Sequence, residues 1–152
     1  MSNFSPTPNM IAEKVGPVGR LVFNKPHKHN ATSTDMWEAI PVILDEFEKV
    51  ESIRQQSSRA MAEAESRHKS LLSGLLVDSW DEVQHFVEAL NAITAQRGQL
   101  LTIRDYRYID VARIDAMETE LLEAQERVAG ATSAFLASDA ALQPYVQRLG
   151  EL

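Results

Sequence analysis

The chain contains no cysteine, which excludes disulfides, zinc fingers built on thiolates, iron–sulfur clusters and thiol nucleophiles. Aromatic residues make up only 7% of its 152 residues, so the sequence predicts an aliphatic core. Long apolar runs are also missing, because the longest, at 71–77, is interrupted by Ser73 and Gly74. This run is far short of the roughly 20 residues that span a bilayer, and no membrane contact is expected.

Positive charge is scarce. Fifteen Lys and Arg stand against 22 Asp and Glu, a formal net charge of -7. This is the wrong sign for binding DNA or RNA mainly through phosphate neutralisation, so a nucleic-acid partner is not expected. The opening Met-Ser-Asn-Phe lacks the basic and apolar regions of a secretion signal, which predicts a cytoplasmic location. No phosphate-binding loop or dinucleotide fingerprint occurs either.

Residues 1–9 hold two prolines and no periodicity, and predict a disordered arm. Two short β-prone runs follow, Met10 to Val15 and Val18 to Phe23, and Gly16-Pro17 between them predicts a β-hairpin. A helix is expected after the capping residues at 32–35. Pro41 is expected to kink or shorten this helix. Its apolar stripe consists of Met36, Ile40, Ile43, Leu44 and Phe47.

The segment 55–78 has few large apolar residues and predicts a polar helix or a linker. Ser79 and Glu82 have capping-box spacing, so a new helix is expected near Trp80. Its apolar positions are Val83, Phe86, Leu90, Ile93 and Leu100. A last short helix, capped by Ser138 or Asp139, carries Leu142, Tyr145, Val146 and Leu149.

The clearest periodicity is a heptad repeat near the C-terminus, which we call the seam. Residues spaced alternately by three and four are typical of a coiled coil. The predicted fold is mainly α, an antiparallel helical hairpin or coiled coil over 79–152 with a small N-terminal β-hairpin. The seam consists of Ile114, Met117, Leu121, Ala124, Val128, Ala131 and Phe135.

One family resemblance covers residues 10–54, about a third of the chain. The residues that carry it are Gly16-Pro17-Val18-Gly19-Arg20-Leu21-Val22-Phe23-Asn24-Lys25-Pro26, followed by Asn30-Ala31. This stretch resembles the opening of a crotonase, the family of enoyl-CoA hydratases and isomerases. The resemblance implies that Lys28, Asn30 and Ala31 lie near the thioester or the nucleotide part of a bound acyl-coenzyme A. The later glycine-rich oxyanion loops and acidic residues that this chemistry requires are not found, so the chain resembles only a truncated or fused crotonase.

Three other groupings are weighed as sites. His27 and His29 lie on a loop without a defined third ligand, so no metal site is predicted. Ser79, Asp81 and His85 have the residue types of a catalytic triad, but their spacing on a helix turns them apart. A basic and aromatic cluster favours interhelical ion pairs over phosphate binding. It comprises Arg97, Arg104, Tyr106, Arg107, Tyr108 and Arg113.

Two functions follow as hypotheses. The first is a non-catalytic helical coiled-coil module for interaction or assembly, which binds a protein partner or a second copy through its helices and needs no cofactor. The alternative is a crotonase-like protein that binds an acyl-CoA. Enzymatic activity is not expected under the first hypothesis.

Overall fold

The computed structural model describes residues 3–138 and 143–150, and it confirms a mainly α fold with an N-terminal β-hairpin. The chain divides into an N-terminal unit, Met1–Gln56, and a C-terminal unit, Ser57–Leu152. Short 3₁₀ helices occupy Pro26–Lys28 and Val77–Ser79. The main elements are β1 (Met10–Val15), β2 (Val18–Phe23), α1 (Thr34–Gly74), α2 (Val83–Arg104), α3 (Val111–Leu136) and α4 (Gln143–Gly150).

The predicted β-hairpin is present in the N-terminal unit. β1 and β2 pair antiparallel from Met10 opposite Phe23 to Val15 opposite Val18. The connecting turn has two residues, and Gly16 adopts a φ of 59°. A positive φ at the first turn residue is what a tight hairpin requires and what glycine adopts without strain.

The core of the N-terminal unit lies between β1 and the first turns of α1. Met10 and Ala12 are buried against Met36, Ala39 and Ile43. A two-stranded hairpin is marginal by itself, so this packing against a helix stabilises it.

The prediction of a disordered arm over residues 1–9 is wrong for residues 3–9, while Met1 and Ser2 lie outside the described residues. The Phe4 amide donates to the Ala12 carbonyl at 2.9 Å, and the Ala12 amide donates to Asn3 Oδ1 at 2.9 Å. The Phe4 ring also packs edge-on against Phe47, with ring centroids 5.8 Å apart. The arm is ordered because it bonds to the outer edge of β1.

Helix α1 continues through Pro41, so the expectation that this proline shortens the helix is wrong. A proline inside a helix removes one backbone hydrogen bond. Met36 and Ile43, one on each side of it, are fully buried in the same core. Their burial offsets the lost bond. Of the predicted stripe, Leu44 is exposed.

The C-terminal unit contains a three-helix bundle built from residues 57–74 of α1, α2 and α3. Arg97 on α2 pairs with Glu118 on α3, and Phe86 near the start of α2 packs against Phe135 near the end of α3, so these helices are antiparallel. On α1, His68 pairs with Glu120 of α3. Its core contains Ala64, Phe86, Ala89, Ile93, Leu100, Ile103, Ile114, Met117, Leu121, Ala124 and Val128.

The segment 55–78 was predicted to be a polar helix or a linker. The structure shows a helix over most of it, so the linker alternative is wrong. It is helical as far as Gly74, and it forms the third helix of the bundle. Ser57, Ala64 and His68 are buried at heptad spacing. Because these residues are small or polar, hydrophobicity alone does not reveal the buried face.

Helix α2 begins at Val83, three residues later than the capping box predicted. The Ser79 hydroxyl donates to the Leu76 carbonyl at 2.7 Å, within the 3₁₀ turn, and so does not cap the helix. Glu82 holds the N-cap position without a side-chain hydrogen bond. The boundary is therefore set by the 3₁₀ turn at 77–79.

The end of the chain is described in part. The helix predicted there is present as α4, and the side chains of Tyr145, Val146 and Leu149 are exposed. The proposed cap Asp139 and the apolar Leu142 lie outside the described residues. Within the residues that are described, no helix combines the length and apolar character needed to cross a membrane.

We expect Gly98→Ala to stabilise the bundle. Gly98 lies inside α2, and a Cβ built there meets no atom within 4 Å. Alanine restricts the unfolded chain and favours the helix by about 1 kcal/mol over glycine. Thermal unfolding followed by far-UV circular dichroism should show a higher melting temperature. Gly16→Ala is the matched control and should lower it, because φ is positive at Gly16.

Candidate interaction surfaces

The seam predicted from the heptads is buried inside the chain's own bundle. Ile114, Met117 and Leu121 have no exposed surface, and Ala124 and Val128 are equally enclosed. Ala131 and Phe135, the last two positions, are partly buried against the same core. The seam residues therefore pack against α1 and α2, and they do not form an outward-facing surface.

The partner positions on α2 differ from those that the sequence predicted. Phe86, Ile93 and Leu100 are buried as expected, whereas Val83 is exposed and Leu90 is only partly buried. The buried set repeats at alternating spacings of three and four throughout the helix. It consists of Phe86, Ala89, Ile93, Gln96, Leu100 and Ile103. The sequence prediction missed Ala89, Gln96 and Ile103, the first two because one is small and the other polar.

A polar network links α1 to α3. His68 is only 3% exposed, and its Nε2 lies 2.7 Å from Glu120 Oε2. The His68 side chain and the nearby Arg113 lower the pKa of Glu120. Arg113 also donates to Glu65 on α1 at 3.1 Å. Polar groups buried with partners fix which helix faces meet, so this network specifies how α1 packs.

The basic cluster at 97–113 is paired largely within the bundle. Arg97 donates to Gln125 and pairs with Glu118, and Arg104 pairs with Asp115. The Arg107 guanidinium lies 5.5 Å from the centroid of the neighbouring Tyr108 ring. The ion pairs of Arg97 and Arg104 connect α2 to α3 and engage charge that a phosphate would otherwise meet, whereas the Arg107–Tyr108 contact lies in the loop between these helices.

The three residues implied by the crotonase resemblance lie together on one loop. Lys28, Asn30 and Ala31 are all exposed. Asn30 Oδ1 accepts from the Lys25 amide at 2.8 Å, and the Ala31 amide donates to the Lys28 carbonyl at 2.9 Å. Asn30 has a φ of 56°. The carboxamide of Asn30 closes the loop, while the Lys28 ammonium is directed to solvent.

Asp35 ties this loop region to the start of α1. The neighbouring Ser33 side chain, with hydrogen bonds from Thr7 and Asn9, holds the pKa of Asp35 well below its usual range. The Thr7 hydroxyl donates at 2.6 Å and the Asn9 amide at 2.8 Å. Both of these donors reach Asp35 Oδ2 and belong to the N-terminal unit, so Asp35 has a structural role in orienting residues 7–9.

Two groups considered as catalytic or metal sites are not assembled. Ser79 donates to a backbone carbonyl, and His85 Nδ1 lies 3.8 Å from Asp81. Among residues 3–138 and 143–150, no three His, Asp or Glu side chains are close enough to hold a metal ion. An open cleft of about 330 Å³ lies between α1 and α2, and Trp80, His85 and Glu88 contribute to its walls.

Large apolar side chains are exposed on the N-terminal unit. Trp37 on α1 is 62% exposed and Val18 on β2 is 60% exposed. Leu44, Leu21 and Phe23 are also exposed. Tryptophan and other aromatic side chains are enriched where proteins bind one another. The sequence did not reveal this exposure. It placed Leu44, for example, in the predicted buried stripe of α1.

In comparisons with known proteins, no family model, curated protein or solved structure matches the chain.

Proposed function

We propose that this protein is a non-catalytic helical interaction module. In this proposal the three-helix bundle is a scaffold, and the exposed apolar residues of the N-terminal unit bind another protein. The observation that carries it is the exposure of Trp37, an indole with most of its surface in solvent on a well-formed helix. Truncating a central Trp at an interface typically costs 2 kcal/mol or more, about thirtyfold in affinity.

The distribution of apolar residues supports this proposal over association through the seam. A coiled-coil seam available for a second chain would have to be exposed in the single chain, and Leu121 and Ile114 are fully buried. Trp37 and Leu44 lie on the same flank of α1, at positions i and i+7, and both remain exposed. A partner that covers this flank would remove apolar area from water.

Acyl-CoA binding is the second candidate, and one observation favours it. The Lys28 ammonium is exposed in a stretch, Lys14 to Asn30, that contains four Lys or Arg residues and no Asp or Glu. A phosphate of coenzyme A would be attracted to such a group. This candidate predicts that an acyl-CoA raises the melting temperature and that Lys28→Glu removes the rise.

The experiment that separates the two candidates is site-specific photo-crosslinking. A benzophenone side chain placed at the exposed Glu38, beside Trp37, should form a discrete adduct with one protein in cells that produce the chain. Trp37→Ser should lower the adduct yield by about tenfold or more. Leu101→Ser, at an exposed leucine of α2, is the matched control and should leave it unchanged.

Two outcomes would contradict the interaction module. One is an adduct yield that Trp37→Ser does not change. The other is a shift of the melting temperature by a short-chain acyl-CoA, because ligand at 100 times its dissociation constant stabilises a protein by ~2.7 kcal/mol. A shift abolished by Lys28→Glu would support the acyl-CoA alternative in its place.

A further inference from the structure

We propose that the outer edge of β2 binds an extended, acidic segment of a partner protein as a third strand of the sheet. This inference rests on the proposed function and specifies its partner. It depends on three observations: the hydrogen-bonding register of the hairpin, the exposure of β2, and the charge of the residues around it.

The register shows which backbone groups of β2 point away from β1. The Asn24 amide donates to the Asn9 carbonyl at 2.7 Å, so this pair is hydrogen-bonded across the hairpin. Hydrogen-bonded and non-hydrogen-bonded pairs alternate along an antiparallel ladder. Counting from Asn24, the N–H and C=O groups of Phe23, Leu21 and Gly19 therefore point outward.

The two edges of the sheet differ. On β1 the outward groups of Ala12 are satisfied, because its amide donates to Asn3 Oδ1 and its carbonyl accepts from the Phe4 amide. For Gly19, Leu21 and Phe23, no hydrogen bond from the described part of the chain reaches the outward groups. The edge of β2 thus offers three donors and three acceptors in strand spacing, as sheets that bind an added strand do.

The side chains along β2 indicate an alternating partner. Leu21 and Phe23 lie on the sheet face that β1 packs against α1, yet both remain exposed. Arg20 and Val22 lie on the opposite face. An added strand would place alternate side chains beside each set. Apolar residues would pack next to Leu21 and Phe23, and the residues between them would lie beside Arg20.

The positive charge of Arg20 favours acidic residues at the positions of the added strand that would lie beside it. Arg20 pairs with Glu13 at 3.1 Å, but its side chain remains 62% exposed. Lys28 is exposed, and neither it nor Lys25 takes part in a salt bridge with the described residues. A carboxylate on the added strand would meet Arg20 from the side opposite Glu13.

The same charges argue against a second copy of this chain as the occupant. Antiparallel pairing of β2 with β2 of another molecule about Leu21 would place the two Arg20 side chains on the same face at diagonally neighbouring positions. Like charges across neighbouring strands destabilise a sheet. The chain as a whole is acidic, with a formal charge of -7, so residues 14–30, with four Lys or Arg and no Asp or Glu, are a local exception.

Isothermal titration calorimetry of the full chain with two synthetic peptides tests the inference. One peptide of about ten residues alternates valine with glutamate, and the other alternates valine with lysine, a length that matches β2 with its flanks. We expect saturable binding of the glutamate peptide, at least about tenfold tighter than the lysine peptide, and weakening with added salt. Equal affinities, or no binding of the glutamate peptide, would overturn the inference.

Substitutions in β2 test whether the peptide binds at the outer edge of this strand. Leu21→Pro removes an outward N–H without removing a bond to β1, and it should weaken binding by about tenfold or more. Leu21→Val, which keeps the N–H, is the matched control. If Leu21→Pro does not fold, Arg20→Glu gives the test, because it should reverse the preference between the two peptides. Binding unchanged by Arg20→Glu contradicts the proposal.

The remaining outcomes separate this inference from the proposed function. If light scattering shows a dimer that Leu21→Pro converts to a monomer, a second copy occupies the edge, and the acidic-strand inference is wrong. If neither peptide binds while the Glu38 adduct still depends on Trp37, the inference fails and the interaction module stands. If the glutamate peptide binds as predicted and the adduct does not depend on Trp37, the inference about the β2 edge is supported and the proposed binding surface around Trp37 is wrong.

Discussion

Replacing Leu121 with aspartate should unfold the three-helix bundle at room temperature. Leu121 has no exposed surface, and it lies in the centre of the core that α3 shares with α1 and α2. Removing a buried leucine costs roughly 2–5 kcal/mol by itself. A buried carboxyl without a partner adds several kcal/mol more, which together rivals the total stability of about 5–15 kcal/mol typical of a domain.

The measurement is far-UV circular dichroism during heating, and the adjacent residue supplies the control. Leu122 is 42% exposed, so Leu122→Asp introduces the same charge one position away without burying it. Its effect should be within about 0.5 kcal/mol. If Leu121→Asp and Leu122→Asp melt at the same temperature as the unaltered chain, the assignment of Leu121 to the core is wrong.

The second large effect is expected from Phe86→Ala. Phe86 is buried, and its ring lies between Trp80, at a centroid distance of 5.1 Å, and Phe135, at 5.2 Å. Truncating a buried phenylalanine costs about 3–5 kcal/mol, and the aromatic contacts add to that loss. The unfolding midpoint in urea should fall accordingly, with the slope unchanged.

Trp80 fluorescence reports the local consequence of this change. In a Trp37→Phe background Trp80 is the single indole, and its emission should shift to longer wavelength when the Phe86 ring is removed. Val87→Ala, at an exposed neighbour on α2, should alter neither the emission nor the urea midpoint. An unaltered midpoint in Phe86→Ala would show that this aromatic cluster does not stabilise the bundle.

The sequence predicted the buried face of α3 better than the buried face of α2. On α3 the buried positions are mostly large and aliphatic, and the heptad spacing identified Ile114 through Val128 correctly. On α2 the buried positions include the small Ala89 and the polar Gln96, which an apolar pattern does not reveal, and the exposed Val83 was included in error. Periodicity identifies a buried face only where the side chains that pack there are also apolar.

The candidate surfaces were less predictable than the core. That Lys28, Asn30 and Ala31 lie on one loop follows from their closeness in sequence, and the structure adds that the Asn30 carboxamide closes the loop through Lys25. The exposure of Trp37 could not be read from the sequence, because an apolar residue on an amphipathic helix can lie on either flank of the buried stripe.

Three features were predictable from the amino-acid sequence alone: the hairpin around Gly16, the heptads of α3 and the mainly helical fold. Each depends on residues close together along the chain, where turn preference and periodicity act. That residues 57–74 form the third helix depends on long-range contacts instead. Ala64 and His68 are buried against α2 and α3, the Ser57 hydroxyl donates to the Arg107 carbonyl in the loop between those helices, and none of the three has a large apolar side chain. The tertiary structure also decided that β1 is covered by residues 3–4 while the edge of β2 stays open, since strand pairing of this kind is fixed by distant neighbours and not by the strand itself.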